Sequence, residues 1–372
     1  MKPFDYGDER IGSKEIIFLL PAYIHGVLIL TVPRIINEVT HTFDGWIALL
    51  VGGLIGTLFA WMTAKLVIRF PEANFLQFAG QIVTRPVAYA MTAALALHFL
   101  LIAAYEVSAV GRIAQMYLLP KTPVEVSALA FLLILIYGVS GSRVGLLRLN
   151  LMFFPIYMLL LIVSYLIALG NFEWRNLQPM FVTDIPTMVQ ATGRTVLTVV
   201  GYELLLLYAG YARMQKRIPQ WSVYGMTISA AVLLFSYTVV IGVMGSKVPV
   251  ELILPSIDMV KEAIIPGGFI ERSDIIFFVI WITTIFNTGA MAYDAIILSL
   301  GLMFPRVRKI HWVLVLAPIV YLISMQPHTL MDALDLLKTD LYLQVFFSYV
   351  VPPLLFVIAA VRKLPKGVRQ LE

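Results

Sequence analysis

The sequence predicts an all-α integral membrane protein of ten transmembrane helices, arranged as two inverted halves of five in which helices one and six are broken. Two observations predict the membrane class. Hydrophobic residues make up 60% of the 372 residues and charged residues only 13%, and apolar runs of about 20 residues recur along the chain. The third observation is that two runs contain a glycine and polar residues near the middle, at corresponding places in the two halves. Because the runs fill most of the length, we expect one transmembrane domain over residues 1–372.

Ten spans follow from the apolar runs, whose lengths suit a bilayer core of about 30 Å. The loops around residues 70–83, 171–187 and 246–273 have helix signals of their own. In the second of these loops, Asp184 and Pro186 are typical of a capped helix start. The predicted spans are Ile16–Ile36, Gly45–Val67, Val87–Leu118, Val124–Val139, Leu149–Leu169, Met188–Tyr211, Trp221–Met244, Ile275–Phe304, Trp312–Met325 and Leu341–Val361.

The distribution of positive charge predicts the orientation. Each loop is numbered by the span that precedes it. Of the 27 Lys and Arg residues, 18 fall in the two tails and the even-numbered loops, which share one side of the membrane, and 9 fall in the odd-numbered loops on the other side. Because cytoplasmic segments are richer in positive charge, both termini are expected in the cytoplasm. Residues 1–14 lack a cleavable signal pattern, so the first span is expected to remain. Each half of the chain has five spans, an odd number, so the second half enters the membrane from the side opposite to the first. This predicts an inverted repeat of residues 15–170 and 186–362.

The break in the first span lies at Ile24, His25, Gly26 and Val27. In lipid, an unwound turn is tolerated only inside protein or beside a cavity, because every backbone polar group must be satisfied. Gly26 allows backbone angles closed to other residues. The half-helix after it would direct free N–H groups towards an anion such as an α-carboxylate, with His25 as a further donor. The alternative is that Gly26 only lets another helix approach closely.

The break in the sixth span lies at Val200, Gly201, Tyr202, Glu203 and Leu204. Freed carbonyl groups near Val200 and Gly201 would accept hydrogen bonds from a ligand ammonium, and Glu203 would stabilise the turn or bind the ligand directly. A charged Glu at this depth costs about 3 kcal/mol, so it must be protonated, paired or facing water. The alternative is a structural Glu203 that bonds the freed N–H groups of its own helix. The apolar residues beside both breaks indicate a ligand with a small neutral or apolar side chain.

Span three supplies further candidates, because an ionisable residue inside a span is a functional candidate by default. His98 and Tyr105 share one face of the helix, and Glu106 lies one step round from it. Tyr105 is placed to wall a midplane cavity. The alternative is a buried tyrosine whose hydroxyl is bonded to a neighbouring helix.

In span eight, Thr284, Asn287 and Thr288 share one face, which predicts a stripe that lines a ligand or water path. The alternative is a set of interhelical polar contacts, worth about 0.6 kcal/mol each on average. An acid in this span is expected to need a cationic partner, and Lys65 and Arg213 are the candidates for Asp294. The residues that we consider for a proton or ion path are Glu106, Tyr293 and Asp294.

The ten spans, the glycine break in span one, and Gly201-Tyr202-Glu203 in span six resemble the amino acid–polyamine–organocation (APC) superfamily, whose sixth helix often has a Gly-aromatic-Glu element at its unwound turn. The short tails and the segment Phe269-Ile270-Glu271-Arg272-Ser273-Asp274 before span eight are more specifically similar to the B subunits of spore germinant receptors. The resemblance implies a LeuT-like fold, an amino-acid ligand at the midplane, A and C subunits as partners in a germinant receptor complex, and the spore inner membrane.

The coupling-ion patterns of related transporters are missing from the sequence. Sodium-coupled relatives place paired hydroxyls late in span eight, where this chain reads Gly289-Ala290-Met291-Ala292-Tyr293. Some proton-coupled relatives use a lysine in span five, and residues 149–169 contain none. These differences favour a receptor or a passive permease over a concentrative symporter.

The sequence therefore predicts a germinant-sensing subunit that binds a small amino acid between spans one and six. Binding would pass a conformational change to partner subunits or to an ion or water path. The alternatives are an amino-acid permease or proton-coupled symporter, and a membrane scaffold subunit with a vestigial cavity. Neither an enzyme nor a cofactor is expected, because the sequence has no HExxH, GxSxG, P-loop or GxGxxG motif. The five His residues show no metal spacing, and the chain has no Cys, so no metal or disulfide is expected.

Overall fold

A computed structural model of the chain describes residues 11–71, 73–212, 214–262 and 273–363, and within these ranges it is helical with no β-strand. The apolar runs fold as helices because a helix satisfies its own backbone hydrogen bonds. The helices, in chain order, are α1 (Ser13–Ile24), α2 (Leu28–Thr40), α3 (Gly45–Val67), α4 (Phe75–Ile82), α5 (Arg85–Ile113), α6 (Val124–Ser140), α7 (Arg143–Ala168), α8 (Ile185–Thr198), α9 (Leu205–Tyr208), α10 (Ile218–Met244), α11 (Val248–Glu251), α12 (Pro255–Glu262), α13 (Ser273–Met303), α14 (Lys309–Ser324), α15 (Leu330–Val345) and α16 (Val351–Val361). Short 3₁₀ or π turns extend several of them, including Ala114–Leu118 after α5, Tyr202–Leu204 before α9 and Phe346–Val350 between α15 and α16.

Six helical stretches in the described residues are long and apolar enough to cross a bilayer, and they contain α3, α5, α7, α10, α13 and α15 with α16. The pair α1 and α2 forms a seventh span that is bent by 56° at its break. The shorter apolar helices α6 and α14 occupy the predicted positions of spans four and nine. The predicted sixth span is divided into α8 and α9. The predicted breaks in spans one and six are therefore confirmed.

The tenth span begins at Leu330 rather than at the predicted Leu341. Thr329 starts the helix with a capping box, in which its hydroxyl accepts the N–H of Asp332 and the Asp332 carboxylate accepts the N–H of Thr329. The first turns of this helix are rich in acidic residues, which is why the apolar run alone placed the boundary too late. The earlier start brings Asp340 inside the span.

Other boundaries are set by caps as well. The fifth span begins at Arg143 rather than at the predicted Leu149, because Ser142 accepts the N–H of Gly145 and starts the helix before the continuous apolar run. Asp184 caps α8 as predicted.

The predicted surface helices near residues 70–83 and 246–273 are present in part as α4 and α12. Asn74 and Gln77 form a capping box at the start of α4, and Glu72 lies outside the described residues. Residues 263–272 also lie outside them, so the germinant-receptor-like segment before span eight is described only from Ser273 onwards.

The core of the bundle is built around α13. Its apolar window from Trp281 is 83% buried, compared with 33% for the windows in α7 and in α15 with α16. It packs along α5 and α7 and also contacts α1 and α6. The neighbouring helix α10 packs against α3 and α1. This arrangement places both breaks beside the most buried of the six long spans that the structure describes.

The top of the bundle is the end at which Asp44, just before α3, meets the loop that leads into α8. The Asp44 carboxylate accepts the backbone N–H groups of Phe181, Val182 and Thr183 at 2.6, 2.8 and 2.9 Å. Burial opposes ionisation of this carboxyl group, but the hydrogen bonds outweigh burial and lower the pKa of Asp44 below its ordinary value. Asp44 therefore ties the first half of the chain to the start of the second broken span.

Candidate functional site

The first break separates α1, which ends at Ile24, from α2, which begins at Leu28. The carbonyl of Tyr23, near the end of α1, accepts a hydrogen bond from the Thr288 hydroxyl of α13 at 2.9 Å. No side chain caps the start of α2 at Val27. Within the first turn of α2, the N–H groups of Ile29 and Leu30 donate to the carbonyls of His25 and Val27 at 3.3 and 3.0 Å, so the break itself satisfies part of the helix start. The N-terminal end of the α2 dipole still points at the break, and this end of a helix favours negative charge.

Gly26 lies where α1, α5 and α13 meet. A Cβ atom at this position would be 2.6 Å from Thr288 Oγ1 and 3.2 Å from Glu106 Oε1. Both distances are too short for any larger residue unless its neighbours move. Glycine is therefore required at position 26 because the Thr288 and Glu106 side chains approach the backbone closely. These two predicted site residues lie against the first break.

His25 points to a different neighbour from Gly26. Its ring is fully buried and packs against the rings of Phe154 and Tyr157 on α7, with centroid separations of 6.4 and 5.9 Å. These contacts place the imidazole among aromatic side chains of span five. Neither ring nitrogen has a hydrogen-bond partner among the described residues, and a direct role for His25 in ligand binding stays a prediction.

The second break lies between α8 and α9. Gly201 has a φ of +122°, a left-handed conformation that favours glycine. Its N–H donates to Glu203 Oε2 at 2.9 Å, and Ser348 Oγ donates to the same oxygen at 2.9 Å. Glu203 thus stabilises the unwound turn, which is the structural alternative that the sequence left open for this side chain.

The two breaks face each other. A Cβ atom at Gly201 would be 2.7 Å from the Tyr23 ring and 3.0 Å from the side chain of Ile24. The apolar residues predicted around the breaks are all buried, with at most 6% of each exposed. They are Ile24, Val27, Val200, Tyr202 and Leu204.

Tyr105 and Glu106 of α5 lie on the opposite wall, with 2% and 3% of their surface exposed. Among the described residues, neither the Tyr105 hydroxyl nor Glu106 Oε2 has a hydrogen-bond partner. A buried polar group without a partner is costly, so such groups indicate a place that a polar ligand or water completes. The bonded tyrosine that formed the alternative reading is therefore not what the described contacts show.

Span eight contributes the third wall through Thr284, Asn287 and Thr288, all buried on α13. Thr288 contacts the first break, and Asn287 Oδ1 has no hydrogen-bond partner within the described part of the chain. Tyr293 instead donates to the Val313 carbonyl of α14 at 2.8 Å. Its hydroxyl is thus used to join two helices, which does not favour the predicted proton or ion path.

Asp294 lies at the base of the bundle, the end at which Arg143 begins α7 and Lys309 begins α14. Arg143 Nε and a second guanidinium nitrogen contact the two carboxylate oxygens at 2.6 and 3.2 Å. Lys309 Nζ lies 3.5 Å from Asp294 Oδ1, and Tyr208 donates to Oδ2 at 2.7 Å. The charged partners of Asp294 are therefore Arg143 and Lys309, and together with Tyr208 they join four spans at one carboxylate.

Of the two partners that the sequence predicted for Asp294, Lys65 was wrong, because it lies over the Trp61 ring at 5.4 Å. The other, Arg213, lies outside the described residues. The segment before residue 149 was predicted as a loop, so Arg143 was not placed on the same face of the bundle as Asp294. The Ser142 cap was the signal that would have placed it there.

The structure adds two residues that the predicted site did not contain, His98 of α5 and Asp340 of α15. His98 Nδ1 lies 2.9 Å from an Asp340 carboxylate oxygen, and His98 Nε2 lies 3.5 Å from Glu203 Oε1. His98 was visible in the sequence as a polar residue inside a span. Asp340 was not, because the tenth span was predicted to begin after it.

A groove of about 720 Å³ lies elsewhere, at the junction of α6 and α7 between residues 137 and 149. It is open to the surface, and its lining contains none of the predicted site residues. The interpretation of the site therefore rests on the two breaks and their polar neighbours.

Two solved transporter structures have a similar fold. Mhp1, a nucleobase-cation-symport-1 family transporter solved with bromovinylhydantoin bound, has a TM-score of 0.68 at 16% identity and covers 97% of this chain and 80% of its own. MhsT in complex with L-phenylalanine has a TM-score of 0.68 at 14% identity and covers 93% of this chain and 88% of its own. Together with the two facing breaks, these similarities define the class: the chain is an integral membrane protein with a LeuT-like fold, of receptor or permease type.

The sequence comparisons identify the family within that class. The spore germination protein family matches residues 10–333. Spore germination protein GerLB of Bacillus cereus is 38% identical over 332 residues, 89% of each chain. Spore germination protein YndE of Bacillus subtilis (strain 168) is 26% identical over 354 residues, 95% of this chain and 97% of its own. The chain belongs to the spore germination protein family.

Proposed function

We propose that the chain is the germinant-sensing subunit of a spore germinant receptor and that it binds a small amino acid between the broken spans one and six. The observation that supports this most directly is the meeting of Gly26, Thr288 and Glu106 at the first break. A helix N-terminus without a side-chain cap, a carboxyl group with an unpartnered oxygen and the facing unwound turn of span six converge there. These are complementary to the carboxylate and ammonium groups of an amino acid.

In this proposal the ligand carboxylate binds the first turn of α2, where the helix dipole favours negative charge. The ligand ammonium is held by Glu106 and by backbone carbonyl groups near Val200 and Gly201. Tyr105 and the buried polar stripe of α13 wall the ligand. The site is closed and narrow in this conformation, since Gly26 already touches Thr288, and this favours a small neutral ligand.

Ligand binding would compete with the Thr288 hydroxyl for the polar groups at the first break. The hydrogen bond between Thr288 and Tyr23 joins α13 to α1, so its replacement changes how these helices pack. The shift can be no larger than the difference in ligand affinity between the two states. We propose that A and C subunits receive this change in the spore inner membrane, with both termini in the cytoplasm and with repeats at 15–170 and 186–362.

Equilibrium binding of labelled amino acids to the purified chain in lipid nanodiscs tests the proposal. We expect saturable binding of a small neutral amino acid, and loss of binding in Glu106→Gln, which keeps the shape of the side chain but removes its charge. Asp335→Asn, at an exposed position of α15, is the matched control and should bind as the wild type does. Binding that survives Glu106→Gln unchanged would contradict the site.

A permease is the second candidate, and the fold of the two transporters favours it. Proteoliposomes loaded with the amino acid that binds would separate the two functions. A receptor binds the amino acid without net flux, whereas a permease releases it down its gradient at a rate that depends on Glu106. Flux that is stimulated by an opposed pH gradient would establish a proton-coupled symporter.

A further inference from the structure

A buried cluster of three titratable groups lies at the second break. His98 of α5 is between Asp340 of α15 and Glu203 of the unwound turn, at 2.9 and 3.5 Å. The three side chains come from three different spans, and at most 1% of each residue is exposed. The ion pairs that the described residues form at this place join the imidazole to the two carboxylates.

The proton count of this cluster follows from its geometry. An imidazole has one nitrogen facing each carboxylate, and each contact needs one proton to be a hydrogen bond. With one proton in each contact, the cluster has a net charge of −1. This holds for a cationic imidazole between two carboxylates, and equally for a neutral imidazole with one carboxylate and one carboxylic acid. A third proton makes the cluster neutral. A net charge in a buried, apolar place is unfavourable, so the third proton has a reason to bind.

The surroundings indicate which group takes the third proton. Glu203 Oε2 already accepts from the Gly201 N–H and from Ser348 Oγ, which stabilises its charged form. Among the described contacts Asp340 is hydrogen-bonded to His98, without the backbone and hydroxyl donors that Glu203 has, and so it is the better site for an added proton. The other titratable groups that face the cluster are the tyrosines of α1, of the unwound turn and of the π turn after α15, with Glu106 beyond them: Tyr23, Tyr202, Tyr349 and Glu106.

We propose that His98, Glu203 and Asp340 form a proton-binding site that takes up one exchangeable proton and thereby controls the unwound turn of span six. Within the described ranges, no group of three His, Asp or Glu side chains is arranged to hold a metal ion, so the ligand of this site is the proton itself. The site differs from the one proposed for the amino acid and does not depend on it.

The link between the proton and the turn runs through Glu203. When Asp340 is protonated, the positive imidazole is balanced by Glu203 alone, and the carboxylate that anchors the Gly201 N–H is held in place. When Asp340 loses its proton, a second negative charge appears within reach of Glu203. Repulsion then acts on the one side chain that bonds the left-handed turn at Gly201, so the turn is expected to loosen as the proton leaves.

The proton is detected directly by NMR of the full chain with ¹⁵N-labelled histidine in nanodiscs, without any amino acid present. His98→Asn and His25→Asn assign the two fully buried histidines. We expect the His98 ring signals to change between about pH 9 and about pH 4, a range that covers ordinary imidazole and carboxyl pKa values. Asp340→Asn should move or abolish that change, whereas Asp335→Asn on the same helix should leave it as in the wild type.

A His98 signal that is constant over this range would overturn the proposal, as would an unchanged step in Asp340→Asn. If Asp340→Asn does not fold, infrared difference spectra of the wild-type chain give the answer. Acidification should produce a carboxylic acid band that shifts when aspartate is labelled with ¹³C. A band that is absent, or that does not move with the aspartate label, would equally exclude Asp340 as the proton site.

Coupling to the turn is tested with a single introduced cysteine, since the natural chain has none. Val200→Cys reports on the turn through its rate of reaction with a thiolate-specific reagent, corrected with a free thiol at each pH. We expect several-fold faster labelling after the proton is lost, and a reduced pH effect when Asp340→Asn is added. The same pH profile with and without Asp340→Asn would show that the proton does not control the turn.

Discussion

Glu106 and Asp294 are two equally buried carboxylates near the same helix, and their surroundings are opposite. Asp294 at the base is surrounded by Arg143, Lys309 and Tyr208, so both of its oxygens have donors. Glu106 lies beside the first break, and one of its oxygens has no partner within the described residues. The comparison shows that burial of an acid does not identify a binding site. A missing donor beside an irregular backbone is the feature that distinguishes the two.

Asp294→Asn tests the satisfied side of this comparison and should have the largest effect. The variant leaves Arg143 and Lys309, which are 20% and 30% exposed, without their buried counter-charge. Breaking a fully buried pair costs about 3–5 kcal/mol, and partial exposure of the two cations places the expected loss at or below the lower end of that range. Reversible unfolding in detergent should show that loss. Asp335→Asn removes an exposed pair with Lys338, so it should cost no more than about 1 kcal/mol. Similar losses of unfolding free energy in the two variants would mean that the ion pairs of Asp294 do not stabilise the fold.

Gly201→Ala and Gly193→Ala compare a glycine in the second break with a glycine in α8, the helix before it. Gly201 has a positive φ and touches the Tyr23 ring, so alanine should destabilise the fold by about 1–3 kcal/mol. Gly193 lies in α8 with no atom within 4 Å of an added Cβ, so alanine should be neutral or stabilising by up to about 1 kcal/mol. The same unfolding measurement checks both. Equal stability would argue that the turn is not unwound in the way described.

Asp44 at the top is a third carboxylate, and it is satisfied by backbone N–H groups instead of cations. Its pKa is lowered in the folded state, so its contribution to stability is present above the unfolded-state pKa and is lost as pH falls through the folded-state value. Asp44→Ala should therefore cost about 1 kcal/mol at neutral pH and progressively less in acid, below about pH 4. A difference from the wild type that is independent of pH would contradict this assignment.

Thr288→Ala should have the smallest effect on stability, about 0.6 kcal/mol, because it removes one interhelical hydrogen bond inside a membrane bundle. It also removes the atom that lies closest to Gly26. We therefore expect Gly26→Ala to be better tolerated in the Thr288→Ala background than in the wild-type chain, which a double-mutant cycle measures. Strict additivity would show that the two residues are not in contact.

The breaks were predictable because they are local. A glycine beside polar residues in the middle of an apolar run indicates an unwound turn wherever the rest of the chain lies. The partners of the acids were not predictable in this way. Arg143 meets Asp294 and Asp340 meets His98 only through the packing of distant spans. Arg143 and Asp340, which the predicted spans did not include, lie in parts of α7 and α15 that begin before the apolar run does.

Capping signals would have placed Arg143 and Asp340 inside their helices. Ser142 and the pair of Thr329 and Asp332 start two helices in polar sequence, where hydropathy alone predicts a loop. The neighbours of His25 were a different kind of unknown. Neighbouring residues at a broken turn contact different helices, here α7 for His25 and α13 for Gly26, and the sequence places both residues at the break without giving these contacts.

Thermal unfolding of the purified chain with a panel of amino acids tests the central claim most directly. A ligand that binds only the folded chain stabilises it by about 2.7 kcal/mol at a hundredfold excess over Kd. We predict a stabilising shift with at least one small neutral amino acid, lost in Gly26→Leu and retained in Gly301→Leu, whose added side chain meets open space. A shift that survives Gly26→Leu, or the absence of any shift in the wild-type chain, would contradict a ligand site at the broken helices.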